Sequence, residues 1–374
     1  MSKLQFMHNV YAEINLDALS HNFHQIKKLL LPKTKVMAVV KANAYGHGAA
    51  DVARRLSFEG VDFLGVANFI EAVELREIGI SLPILMLSEI PHEVVPYSLA
   101  YKLSHTVYTL ALAKEISKQA QILKTMAKVH VKIDTGMNRV GVAEADAVYF
   151  IKKVISLPNI ALEGIFTHFS QADDKTSPIT REQIQKFDRI IKELRAEGIS
   201  PPLIHAANSG GTLNFSSSHY DMVRVGLSLY GLYPAKPVKD ISLKPLMSLK
   251  TRVAYLKKVG KGAQLGYGGT HKTKADTYIA TLPVGYADGL PRILSNKGAV
   301  LIKGQRYPIV GRISMDLTLV DVGLDPVIKV GDSAVLIGQQ GKEEITVDEV
   351  AKLENTISYE VTCRLGRRVP RIYK

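Results

Sequence analysis

A lysine closes the apolar run Val36-Met37-Ala38-Val39-Val40 and opens the segment Lys41-Ala42-Asn43-Ala44-Tyr45-Gly46-His47-Gly48. An amine at the end of a buried strand loses part of its hydration. Its pKa falls, and it becomes a nucleophile suited to Schiff-base chemistry. The same lysine could also end its strand by reaching solvent, and residue type alone leaves both readings open. Arg224 sits in the run Met222-Val223-Arg224-Val225-Gly226. A guanidinium keeps its proton and can only donate, so it either marks a surface or holds an acceptor in a fixed direction. Tyr267, in Leu265-Gly266-Tyr267-Gly268, is equally a turn aromatic or a hydroxyl offered on a loop. With an ordinary pKa of about 10, it works as a base only beside positive charge. The stretch Asn208-Ser209-Gly210-Gly211 reads as a turn and helix cap.

The elements that must position these groups follow from periodicity. After Val10–Asn15, short apolar strands are predicted at 36–40, 63–67, 84–87, 105–108, 128–133, 162–167, 203–206 and 222–225. Amphipathic helices are predicted between them at 17–31, 71–78, 143–155 and 181–196, with Asp17 as an N-cap. Eight strand–helix alternations point to a (β/α)₈ barrel with parallel strands. Periodicity alone also admits an open doubly wound sheet. From Ser242 the pattern changes to closely spaced strands at 249–259, 278–284, 299–302, 306–310, 317–322 and 333–337, with one short helix at 347–353. The expected class is therefore α/β plus all-β. Residues 1–242 form the barrel, 243–374 form a strand domain, and residues 1–15 are open to pairing with the second domain. In a barrel the strand C-termini carry function, which is where Lys41 and Arg224 fall.

Composition excludes several classes. With 46% hydrophobic and 22% charged residues in 374, the chain is neither disordered nor collagenous. No apolar run reaches the roughly 20 residues of a membrane helix, and no secretory h-region precedes Asn15. One cysteine, Cys363, forms no intrachain disulfide, which points to a reducing compartment, the cytoplasm. The net charge of +13 comes from bases spread along the chain, without a nucleic-acid-binding motif. No metal-ligand spacing stands out.

The segment 39–48 resembles the pyridoxal-phosphate attachment motif of alanine racemases, the fold-type III family. The resemblance continues in order through Lys132-Ile133-Asp134-Thr135-Gly136-Met137-Asn138-Arg139-Val140-Gly141, Phe166-Thr167-His168-Phe169, His205-Ala206-Ala207-Asn208-Ser209 and 222–226. It runs on through Leu265–Gly268, Val284–Gly289, Gly311-Arg312-Ile313-Ser314-Met315-Asp316 and Asn355–Val361.

The resemblance implies interconversion of L- and D-alanine, with pyridoxal 5′-phosphate on Lys41 and D-alanine supplied for peptidoglycan. It makes Lys41 and Tyr267 the two bases, on opposite faces of the α-carbon and from different subunits of a homodimer with shared sites. Tyr45, His168, His205, Asn208, Ser209, Arg224, Gly226, Leu227 and Tyr359 become cofactor-binding residues. Arg139, Met315 and Asp316 meet the substrate, and Lys132 becomes a carbamylated N-carboxylysine. Ser314 and Asn138 stand where cysteine and glycine are often found. Other readings are a serine or broad-range racemase and, in another class, a non-catalytic pyridoxal-binding barrel. The strand domain argues against the latter.

Overall fold

The computed structural model describes residues 8–235, 238, 241–324 and 327–374. Two compact units result, one spanning Asp17–Pro245 and the other joining the described residues up to Leu16 with Leu246–Lys374. The first seven residues of the expected 1–15 segment lie outside the described residues. Strand β1 (Val10–Ile14) pairs antiparallel with 247–251 and parallel with 371–373, so both ends of the chain enter one sheet.

The first unit is a closed parallel barrel with helices, as the alternation predicted. Its strands are β2 (Lys35–Val39), β3 (Phe63–Val66), β4 (Ile84–Met86), β5 (Ser104–Val107), β6 (Ala127–Asp134), β8 (Ile160–Phe166), β9 (Leu203–His205) and β10 (Met222–Val225). A two-residue strand, β7 (Val142–Ala143), extends β6. Hydrogen bonds run β5-β4-β3-β2-β10-β9-β8-β6, and β5 pairs with β6 to close the ring. Five of these strands are buried at every position, because crossover helices cover the barrel outside and side chains fill it inside. Met37, Phe63, Leu85, Leu203 and Met222 form one buried cluster. The N-cap expectation for Asp17 is corrected: the helix begins at Leu16, and Asp17 sits in its first turn bonded to Arg55.

In the second unit, β11 (Met247–Arg252), β12 (Tyr255–Val259), β13 (Gln264–Leu265), β14 (His271–Lys272), β15 (Thr277–Leu282), β16 (Ala299–Ile302), β17 (Gln305–Pro308), β18 (Thr318–Gly323), β19 (Ser333–Gln340), β20 (Glu343–Ile345) and β21 (Arg371–Tyr373) follow closely. They form a sheet ordered β17-β16-β19-β11-β1-β21, a triplet β12-β15-β18 and the pair β13-β14. The single strand expected at 249–259 is two. Val253 N–H donates to Asp332 and Ala254 N–H to Thr281, so the run changes sheets where β11 ends and β12 begins. A second short helix, Ser358–Cys363, follows the expected one, which spans Val347–Glu354.

Candidate active site

Lys41 follows Val40, whose N–H donates to the Gly65 carbonyl at the end of the parallel ladder. The four residues after it turn the wrong way: Ala42, Asn43, Ala44 and Tyr45 all have φ of 52–53°. Left-handed backbone costs an L-residue roughly 1–2 kcal/mol, so the surroundings must enforce it. Glu71 does so directly. One carboxylate oxygen accepts Ala42 N–H at 2.8 Å and the other accepts Ala67 N–H at 2.7 Å. The Asn43 side chain accepts Ala49 N–H, and the Tyr230 hydroxyl donates to the Val39 carbonyl at 2.8 Å. Tyr230 in turn packs against the rings of Tyr45 and His47. The lysine is thus set by a short, braced turn that sequence periodicity does not reveal.

Arg224 is 4% exposed at the C-terminal end of β10. Its Nη2 donates to the carbonyls of Thr167 (2.7 Å) and Ala206 (2.9 Å) and lies 3.2 Å from His168 Nδ1. Its Nη1 lies 3.1 Å from His205 Nδ1. Burial pulls its pKa down to about 9, which leaves it charged at neutral pH. Burial, and then the Arg224 charge, push His168 and His205 well below the usual histidine range, so both are neutral. Lys132, buried on β6, has its Nζ 5.5 Å from the centre of the Phe166 ring, over which the Arg224 guanidinium also lies at 5.1 Å. Burial first, then Arg224 and Arg139, bring Lys132 down to about 8. Lys132 thus lies within electrostatic reach of two guanidinium groups. Asp134 orders the loop toward exposed Arg139 by accepting the N–H groups of Gly136, Met137 and Asn138. Asn138 has φ 54°, which explains why glycine suits this position and asparagine is tolerated.

Beside β10, the Ser209 hydroxyl accepts Gly226 N–H (3.2 Å) and Ser228 N–H (3.3 Å). Asn208 caps the helix Ser209–Asn214 by accepting Gly211 N–H, and Leu227 is buried on the following turn. A Cβ at Gly226 would meet the Tyr45 hydroxyl at 2.5 Å, so only glycine lets that hydroxyl approach.

In the second unit, motifs separated in sequence converge. Tyr267, 73% exposed, lies between Gly266 and Gly268, both at positive φ. A Cβ at Gly268 would meet the Arg312 guanidinium at 2.9 Å, and one at Gly285 would meet the Met315 carbonyl at 2.2 Å. Tyr286 and Ala287 donate N–H to the carbonyls of Ser314 and Met315. Asp316 pairs with Arg368 at 2.7 Å, and Arg368 also reaches Asp288 at 2.9 Å. Tyr359 lies apart in sequence on the helix 358–363, half-buried. Sequence reasoning missed Glu71, Tyr230, Asp134 and Arg368. Of these, only Asp134, a carboxylate two residues before glycine, carried a local turn signal.

A parallel (β/α)₈ barrel with buried cations at its strand ends, continued by a strand-rich unit, is the architecture of a barrel enzyme. Residues 14–234 match the family model for the alanine racemase N-terminal domain, and residues 246–373 match that for the C-terminal domain. The chain belongs to the alanine racemase family, whose members are isomerases. It is 45% identical to the alanine racemase of Halothermothrix orenii, over 97% of this chain and 96% of that protein. The alanine racemase structure from Clostridium difficile 630 matches with a TM-score of 0.94 at 41% identity, covering 98% of this chain and 96% of that one. The alanine racemase structure from Bartonella henselae, described with covalently bound pyridoxal phosphate, matches with a TM-score of 0.88 at 30% identity. That match covers 98% of this chain and 99% of the other.

Proposed function

We propose that this chain interconverts L- and D-alanine with pyridoxal 5′-phosphate held at the barrel mouth, supplying D-alanine for peptidoglycan. The observation that carries this reading is Arg224, a buried guanidinium whose partners are two carbonyls and two neutral imidazoles. The donor set suits the group. Ser209, the glycine cradle at Gly226 with Leu227 beside it, and the Tyr45 hydroxyl form a polar cup for its phosphate, to which Tyr359 adds a further hydroxyl. Asn208 holds the helix start in that cup, and the Ser228 hydroxyl is buried there without a partner in the protein. Lys41 is the attachment lysine. When bound, the group supplies a conjugated ring that makes the substrate α-proton acidic.

The side chains then divide the work. Lys41 Nζ takes or returns a proton on one face of the α-carbon. Tyr267 Oη, from a second copy of the chain, serves the opposite face. Arg224 would donate to the ring nitrogen of the bound group and yield it no proton, and so would weaken the electron sink and favour reprotonation over side reactions. His205 supports Arg224 from behind. Arg139 steers the substrate carboxylate, with Met315 and Asp316 lining the entrance from the second copy. Lys132, with its pKa near 8, has the free amine needed to take up carbon dioxide. The resulting carbamate would accept hydrogen bonds from Arg139. The assembly is a homodimer with shared sites.

The test is direct. Purified protein incubated with pyridoxal phosphate becomes yellow, borohydride fixes the label on Lys41, and circular dichroism follows loss of L-alanine optical activity. Colour without racemisation would make the chain a binding protein. Faster turnover of serine than alanine would make it a serine racemase.

A further inference from the structure

Glu163 puts a carboxylate into β8, and the site described above gives it no task. Its Oε2 lies 3.0 Å from His130 Nε2 and accepts the Ser104 hydroxyl, while Lys128 Nζ stands 3.0 Å from Oε1. His130 Nδ1 lies 2.9 Å from His205 Nε2, and His205 Nδ1 meets Arg224. A continuous file of side chains therefore crosses the barrel interior from exposed Lys128 to the guanidinium at the mouth. Two backbone features make room for it. The β6–β8 register shifts between Val129 and His130. A Cβ at Gly164 would meet His130 Nδ1 at 2.6 Å.

Donor and acceptor rules give the file one polarity. Arginine only donates, so His205 Nδ1 must accept and its proton sits on Nε2. That Nε2–H donates to His130 Nδ1, which places the second proton on His130 Nε2, facing the carboxylate. Burial lowers the pKa of both imidazoles, in keeping with two neutral rings. Burial would raise Glu163, but hydrogen bonds from His130 and Ser104, together with Lys128, hold it below the usual carboxylate range.

We infer that Glu163 is a positioning residue that, through His130, fixes the tautomer of His205 and so keeps Arg224 donating in one direction at the mouth. This rests on the racemase reading of that mouth. An amide at 163 can donate instead of accept. The file can then reverse, leaving His205 Nδ1–H facing a guanidinium N–H.

In the cofactor-loaded wild type, ¹⁵N-histidine NMR should show both rings neutral with Nε2 protonated. A charged ring or an Nδ1–H tautomer at either site overturns the inference without any variant. Glu163→Gln should show a mixed His205 tautomer and lower kcat about tenfold, the scale of one misplaced buried hydrogen bond, with KM for alanine within about twofold. Glu163→Asp should restore the single tautomer and most of kcat. Unchanged tautomer and kcat in Glu163→Gln overturn the inference. So does a lower kcat accompanied by wild-type tautomers, which would reduce Glu163 to a structural part. Wild-type protein that neither binds pyridoxal phosphate nor racemises alanine would instead count against the racemase reading itself.

Discussion

The barrel mouth and the loops of the strand-rich unit hold their candidate site residues in opposite ways. At the mouth, charged side chains are buried and tied down: Arg224 spends its donors on carbonyls and imidazoles, and Lys132 lies among other cations. In the strand-rich unit, Tyr267 and Met315 are 73% and 52% exposed, and glycines at close approach fix only the backbone beneath them. Burial tunes the charges of the first region, whereas the second presents its side chains to solvent. The first region is built to set protonation states; in the proposed function, the second is supplied by another copy of the chain.

The largest expected effect breaks this division of labour. Lys41→Ala should abolish both the borohydride label and racemisation, and Tyr267→Ala should leave colour but little turnover. Mixing the two inactive chains should restore part of the activity, because one of two shared sites in the hybrid escapes both lesions. Hybrid dimers that form and stay inactive would end the shared-site reading.

Tyr267→Phe sharpens the contrast. It should lower kcat by about 10²–10⁴, as expected for a lost general acid–base, without moving the thermal midpoint, because the side chain is largely exposed. A fall in stability comparable to that of a core variant would mean that the tyrosine is structural.

Lys132 offers a pH test in carbonate-free buffer. Its folded pKa of about 8 lies below the ordinary 10.5. Above pH 8 the folded state has released a proton that the unfolded chain still holds. Stability relative to Lys132→Met should therefore be lowest and flat below pH 8, and rise between pH 8 and 10.5. Denaturant titration across that range measures the difference. A flat difference throughout would place Lys132 outside the buried cation cluster. Added ¹³C-bicarbonate should give a carbamate signal that Lys132→Met removes.

The smallest effect belongs to Asn138→Gly. At φ 54° the exchange should change stability by no more than about 1 kcal/mol, whereas Asn138→Val should cost more because a β-branched residue resists that backbone. Thermal melts of the two variants rank them.

Much of the barrel was legible because each apolar run is short and separated by an amphipathic stretch, and Met222–Val225 was read to the residue. The strand-rich unit was less so. Its run at 249–259 changes partner at Val253, a change decided by distant carbonyls at Asp332 and Thr281. Within the site, Lys41 and Arg224 were visible as polar residues ending apolar strands. Glu71 and Tyr230 were not, since a helical glutamate and a buried tyrosine look ordinary until the backbone they brace is seen. Glu163 and His130 were hidden for a related reason: Glu163 is a lone polar residue in its strand, His130 is one of several polar residues in another, and only sheet register brings them together.

The turn after Lys41 has a stereochemical consequence. Four successive L-residues there trace the mirror image of an ordinary helical turn, so D-alanine at positions 42 and 44 would find its own preferred backbone. A chain assembled by chemical ligation with those two inversions should tolerate them, and should gain stability of roughly 1–2 kcal/mol per site. Inverting an alanine inside any right-handed helix of the same barrel should cost about as much.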